Sequence, residues 1–72
     1  MVEIFKTNVK NKQLANKVLK ALQYSLPGCC FNFDLDDCDR ILRAQSEGGL
    51  IEINMIIQIV EEHRIGITLL ED

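Results

Sequence analysis

Hydrophobic periodicity changes several times within the 72 residues, and this alternation limits the folds that the chain can adopt. A period of two residues is typical of a strand with one buried side, and a period of 3.6 residues is typical of an amphipathic helix. The segments follow the order strand, helix, strand, strand, helix, strand. A chain this short predicts one domain, residues 1–72, with a small core, because a 60-residue domain buries only about 60% of its unfolded surface.

The first half of the chain predicts a strand followed by a helix. β-branched and aromatic residues in segment 2–8 favour the strand. From Lys10 onward, apolar residues recur every three or four positions, as on a helix. That stripe consists of Leu14, Val18, Ala21, Leu22 and Leu26. Asn8 or Asn11 is the expected N-cap, and Pro27-Gly28 ends the helix, because proline cannot continue it and glycine accepts the backbone angles beyond a helix end.

A hairpin is predicted next. Segment 31–35 alternates apolar with polar residues, as a half-buried strand does. The acidic segment 36–39 forms a turn, and segment 40–44 returns as the third strand.

The last third predicts a helix and a closing strand. After Gly48-Gly49, a second apolar stripe begins, and Asn54 is its expected cap. The stripe consists of Ile53, Ile56, Ile57 and Val60. Isoleucines also suit a strand, so spacing rather than residue type favours the helix. Segment 65–70 then predicts the last strand.

This order predicts an α+β ferredoxin-like βαββαβ fold. Two split βαβ units with right-handed crossovers place both helices on one face of a four-stranded antiparallel sheet and leave the other face open. The expected core consists of Phe31, Phe33, Leu35, Leu14, Val18, Leu22, Ile56 and Val60.

Charge is distributed unevenly along the chain, although the net charge is only −3. Residues 1–28 carry five lysines against Glu3 alone, and residues 29–72 carry ten acids against three arginines. One interpretation is an ordinary solvated surface. The other is a basic first helix that docks a protein partner with an acidic surface through Lys10, Lys12, Lys17 and Lys20. The acidic balance and the few aromatic residues argue against a nucleic-acid partner.

The three cysteines favour a reducing compartment over a disulfide framework. Their number is odd, two are adjacent, and no apolar leader follows Met1, which predicts a cytoplasmic protein. No apolar run approaches the length of a membrane span. Cys29 is expected to face the core and Cys30 the open side of the sheet, so packing is one interpretation of the pair and a redox switch is the other.

Several short motifs, taken in order, resemble a heavy-metal-associated domain, the small module of copper chaperones and of the N-terminal parts of metal-pumping ATPases. The resemblance extends from Leu14 to Asp72. Its residues are Leu22, Leu26-Pro27-Gly28, Phe33-Asp34-Leu35, Asp36-Asp37, Ile56, Ile57, Val60, Glu61-Glu62 and Leu69-Leu70-Glu71-Asp72.

The resemblance implies a metal loop whose ligands are missing from this chain. Members of that family carry two cysteines thirteen and sixteen residues before the glycine of the Pro-Gly turn, where this chain has Ala15 and Lys12. The preceding glycine and methionine of the family are replaced by Val9 and Lys10. An ammonium group at Lys12 would repel a cation placed there.

A replacement site for a soft metal is the alternative hypothesis. The expected topology brings Cys38, His63, Thr7 and Asn8 to one pole, so Cys38 and His63 could bind Cu(I) or Zn(II), within one chain or shared between protomers. Otherwise, Cys38 is an exposed turn residue and His63 favours the negative end of a helix dipole. Cys29 and Cys30 lie roughly 20 Å from Cys38 along the strand and cannot share its ion.

No constellation of catalytic groups is recognisable, so the sequence predicts no enzyme. No serine has an evident base beside it, and the carboxylates cluster at a strand end and a turn. Met55 and Ile59 lie one turn apart and are expected to flank the buried stripe of the second helix, where they could support weak self-association.

Overall fold

The computed structural model describes residues 1–70, which form four strands and two helices. In chain order these are β1 (Val2–Thr7), α1 (Lys12–Ser25), β2 (Cys29–Asp34), β3 (Ile41–Ser46), α2 (Ile53–Glu62) and β4 (Ile67–Leu69). The predicted α+β ferredoxin-like arrangement is confirmed. Neither helix is long and apolar enough to cross a membrane.

The four strands form one antiparallel sheet in the order β2-β3-β1-β4. β1 and β3 are therefore central, and β2 and β4 are the edges. Phe5 on β1 lies opposite Leu42 on β3 and Leu69 on β4, so these three side chains share the face that the helices cover. Neighbouring residues in the strands, such as Cys30 and Gln45, alternate onto the opposite, exposed face.

The core is centred on the two middle strands, which corrects the sequence-based expectation in part. Val18, Leu22, Ile56 and Val60 are fully buried as predicted. Four other expected members, Leu14, Phe31, Phe33 and Leu35, are only partly buried and pack at the margin. Among the buried residues that were missed, Phe5, Leu42 and Ala44 have no exposed surface. The physical reason is strand order: β2 is an edge strand, so its phenylalanines have neighbours on one side only.

Asn11 caps α1, because its Oδ1 accepts a hydrogen bond from the backbone N–H of Leu14 at 2.8 Å. Asn8, the other candidate cap, has a different function. Its Oδ1 accepts a hydrogen bond of 2.7 Å from the N–H of Gly66, which connects the loop after β1 to the start of β4.

The starts of α2 and β4 differ from the predictions. α2 begins at Ile53 with Glu52 in the N-cap position and no side-chain cap, so Asn54 lies inside the first turn. Burial of Ile51 positions this helix start in place of a cap. β4 begins only at Ile67, because Arg64 adopts a positive φ of 60° in the preceding turn.

Candidate functional site

Three loops meet at one pole of the sheet, as the topology predicted. Thr7 at the end of β1 donates its backbone N–H to the carbonyl of Asp39 at 3.1 Å and its hydroxyl to the carbonyl of Arg40 at 2.6 Å. The N–H of Asn8 donates to the carbonyl of Gly66 at 3.1 Å. The loop after β1, the β2–β3 turn and the turn after α2 are thus joined by backbone-directed hydrogen bonds.

The positions that correspond to the family's cysteines have other surroundings here. Lys12 is the first residue of α1 and is exposed. Ala15 is only 2% exposed and its methyl group belongs to the core. Val9, at the position of the family's glycine, is also buried. This segment therefore contributes packing and a positive charge rather than ligand atoms.

Cys38 lies in the β2–β3 turn between two carboxylates. Its Sγ and one carboxylate oxygen each of Asp37 and Asp39 lie within 4.8 Å of one another, which is close enough to hold a metal ion. Both carboxylates also have partners within the protein. Asp37 Oδ1 accepts a hydrogen bond of 2.8 Å from the N–H of Asp39, and Asp39 Oδ1 lies 3.5 Å from Lys6 Nζ.

His63 is the C-cap residue of α2 and is partly buried. Its Nδ1 lies 2.9 Å from the carbonyl oxygen of Ile59, one turn earlier, so the ring donates from Nδ1 and leaves Nε2 as the nitrogen for any ligand. His63 is not a member of the group around Cys38. The structure therefore does not bring the two predicted ligands into one three-residue cluster.

The two adjacent cysteines occupy opposite faces of β2. Cys29 is buried, 7% exposed, and Cys30 is exposed on the open face. Both placements agree with the sequence-based expectation. All three cysteines are free thiols. Cys29 begins β2, whereas Cys38 follows the far end of that strand. The pair therefore lies away from the pole of the sheet where the three loops meet, which we call the loop pole.

The four predicted docking lysines are all exposed and form what we call the basic surface: Lys10, Lys12, Lys17 and Lys20. α1 contains no acidic residue. Within residues 1–70 the ion pair between Lys6 and Asp39 is the only one present, so no lysine of the basic surface forms an ion pair with that part of the chain. Lys12 also lies at the positive end of the helix dipole, where an acidic residue would stabilise the helix.

Tyr24 adjoins the basic surface and was not recognised in the sequence. Its side chain is 91% exposed. Tyr24 follows Lys20 by four residues and Lys17 by seven, so all three lie on the same outward side of α1. From Lys17 to Tyr24 this side extends about 10 Å. Spacing from the lysines was the available signal, since Tyr24 falls outside the apolar stripe.

The predicted self-association surface on α2 is wrong in one of its two residues. Met55 is exposed, 41%, but Ile59 is only 9% exposed and belongs to the core. The buried side of α2 consists of Ile56, Ile59 and Val60, whereas Ile53 and Ile57 of the predicted stripe are only partly buried. Met55 by itself forms no apolar patch.

Comparison with known protein families, with curated proteins and with solved structures finds no match to this chain. The class that the fold defines is a small ferredoxin-like α+β protein. Membership of the heavy-metal-associated family stays a prediction from the sequence resemblance.

Proposed function

We propose that this protein is a non-enzymatic interaction module that docks an acidic protein partner through the basic surface of α1. The observation that carries this proposal is a helix with three exposed lysines and no acid, on which Lys17 and Lys20 share the outward side with the exposed Tyr24. Tyrosine combines a large contact area with a polar tip, and it is enriched among the residues that dominate protein interfaces. A partner with exposed carboxylates would supply the charges that this helix lacks.

The local chemistry of α1 supports a binding function more than a stabilising one. A lysine in the first turn opposes the helix dipole, at a cost of about 0.3–1 kcal/mol. Lys17 and Lys20 are three residues apart, and like charges at that spacing repel each other. Charges that weaken the element carrying them are expected at functional surfaces. The heavy-metal-associated resemblance fits this proposal as a scaffold that kept its surface and lost its ligands.

Reversing two of these charges should abolish partner binding without unfolding the protein. In the variant Lys12→Glu, Lys17→Glu, the new acid at position 12 lies at the favourable end of the helix dipole, so α1 is retained. The measurement is quantitative recovery of co-purifying proteins, with folding checked by circular dichroism.

The matched control is Arg43→Glu, Arg64→Glu, which changes the net charge equally at exposed positions outside α1. It should leave recovery intact. Equal recovery with wild type and the Lys12, Lys17 variant would contradict the proposal. Equal loss in both double variants would show a response to net charge alone and would also contradict it.

Soft-metal binding at the β2–β3 turn is the second candidate function. The observation that favours it is the convergence of Cys38 Sγ with oxygens of Asp37 and Asp39. One thiolate with carboxylates suits Zn(II) better than Cu(I), which prefers sulfur ligands. The ion pair to Lys6 and the hydrogen bond within the turn compete for the same carboxylates, so this candidate ranks second.

Titration with Zn(II) under reducing conditions tests the metal candidate. If Cys38 is a ligand, Cys38→Ser should weaken binding about tenfold or more, while Cys30→Ser should have no effect. His63→Ala reports whether the histidine contributes a ligand, within one chain or from a second protomer. A dissociation constant weaker than about 1 μM for the wild type would remove this candidate.

The proposed location is the cytoplasm. Three thiols without a disulfide, including the exposed Cys30 and Cys38, suit a compartment in which thiols stay reduced.

A further inference from the structure

β2 is an edge strand whose outer backbone groups are directed away from the sheet. Cys29, at the start of β2, donates its backbone N–H to the carbonyl of Leu26. Its own carbonyl accepts a hydrogen bond of 2.7 Å from Nε2 of Gln23. Neither group therefore bonds to β3. In an antiparallel pair, residues alternate between bonding across the ladder and pointing away from it. Phe31 and Phe33 accordingly point their N–H and C=O groups outward.

The hydrogen bonds of β3 independently confirm that the backbone groups of Phe31 and Phe33 point outward. Cys29 lies opposite Ser46 on β3, and Ser46 exchanges both of its backbone hydrogen bonds with Met1 on the β1 side. Ala44 and Leu42, which lie opposite Phe31 and Phe33, share this alternation and bond toward β1. Outside the ladders, no hydrogen bond among residues 1–70 reaches the outward groups of Phe31 and Phe33.

This edge has few of the features that usually block pairing with another strand. Proteins protect edges with proline, lysine, a bulge or a short strand. β2 has six residues in continuous register with β3, contains neither proline nor lysine, and carries one charge, Asp34, at its end. The Gln23 side chain covers only the carbonyl of Cys29. The other edge, β4, has three residues.

We propose that β2 pairs antiparallel with β2 of a second copy of this chain, about a two-fold axis at Asn32. In this register, Phe31 of each copy lies opposite Phe33 of the other, so all four outward groups of each copy form hydrogen bonds. Cys29 keeps its bond to Gln23. The pattern of free groups is self-complementary, which is what an isologous two-fold interface requires.

The side chains fit the same register. On the helix face, the half-buried rings of Phe31 and Phe33 meet across the interface, where aromatic cross-strand pairs are favourable. On the open face, Asn32 meets Asn32 and Cys30 meets Asp34, so no like charges lie opposite each other. The product is a continuous eight-stranded sheet with both α1 helices on the same side. This dimer does not depend on the basic surface having an acidic partner.

Sedimentation equilibrium tests the interface. The wild type should be a monomer–dimer mixture at concentrations up to about 1 mM. Asn32→Lys places like charges opposite each other on the axis and should raise the dissociation constant about fivefold or more. Gln45→Lys adds the same charge to the same exposed face, but on β3 rather than on the edge strand β2. It should leave the dissociation constant unchanged. Asn32→Glu repeats the test with the opposite charge should the lysine variant not fold.

A cysteine on the axis tests the register. Asn32 would occupy a non-hydrogen-bonded pair, in which Cα atoms are about 4.5 Å apart, within the range of a disulfide. Asn32→Cys in a Cys30→Ser, Cys38→Ser background should give a covalent dimer on mild oxidation, whereas the background alone should not. A wild type that stays monomeric, or a dimer that Asn32→Lys and Gln45→Lys affect equally, would overturn the proposal.

Discussion

Phe5→Ala is expected to bring this protein close to global unfolding. Phe5 has no exposed surface and lies on a central strand, opposite Leu42 and Leu69, beneath both helices. Truncating a buried phenylalanine costs about 3–5 kcal/mol, because the lost apolar contacts are accompanied by a cavity. A domain of this size is stabilised by roughly 4–11 kcal/mol in total.

Thermal denaturation followed by circular dichroism measures this effect. The unfolding temperature of Phe5→Ala should fall by about 12 °C or more. Ile4→Ala is the matched control, because Ile4 is the adjacent residue on the same strand, is half-buried and points to the open face. Its cost should be clearly smaller. Equal destabilisation by the two variants would mean that Phe5 is not the centre of the core.

Thr7→Val is expected to have the second-largest effect and to loosen the loop pole. The Thr7 side chain is buried, donates to the carbonyl of Arg40 at 2.6 Å and accepts from the N–H of Val9 at 3.3 Å. Valine keeps the shape and removes both bonds. A buried polar group left without its partner costs about 1–3 kcal/mol. The Arg40 backbone, held at a positive φ of 46°, loses its only side-chain anchor within residues 1–70.

Denaturation and amide hydrogen exchange together measure this effect. Faster exchange is expected at Val9 and in the β2–β3 turn, while the α1 amides beyond the first turn should change little beyond the global loss of stability. Thr68→Val is the control, since Thr68 is exposed on the open face. A loss of stability spread evenly over the whole protein, with no local change around Arg40, would contradict an anchoring role for Thr7.

The metal candidate and the interaction proposal predict different fates for the ion pair between Lys6 and Asp39. A metal at Cys38 would compete with Lys6 for the Asp39 carboxylate, whereas docking through α1 leaves that ion pair intact. The start of α1 offers no metal ligand, because Ala15 is buried and has only a methyl group, and the exposed Lys12 carries a positive charge. The proposals therefore concern separate surfaces, and variants at Lys12 and Cys38 separate them experimentally.

Helices and strands whose apolar residues recur with a regular period were predictable from the sequence. The residues at which they begin and end were predicted less accurately. The stripe of α1 and the alternation in β2 correspond to observed elements because periodicity reflects burial on one side. Asn54 failed as a cap because the burial of Ile51 and Ile53 positions α2 without one. Ile59 was misplaced for a different reason: packing against the core is centred on Ile56, Ile59 and Val60 and leaves Ile53 and Ile57 partly exposed, which the spacing of the isoleucines does not specify.

The sequence by itself determined the order of elements, the uneven charge and the lack of cysteines at positions 12 and 15. Only the tertiary structure decided which strands are central, because strand order depends on contacts between distant segments that local periodicity does not encode. That order buried Phe5, Leu42 and Ala44 and left Phe31 and Phe33 at an open edge. The tertiary structure also decided that Tyr24 is exposed, since exposure depends on what the rest of the chain leaves uncovered.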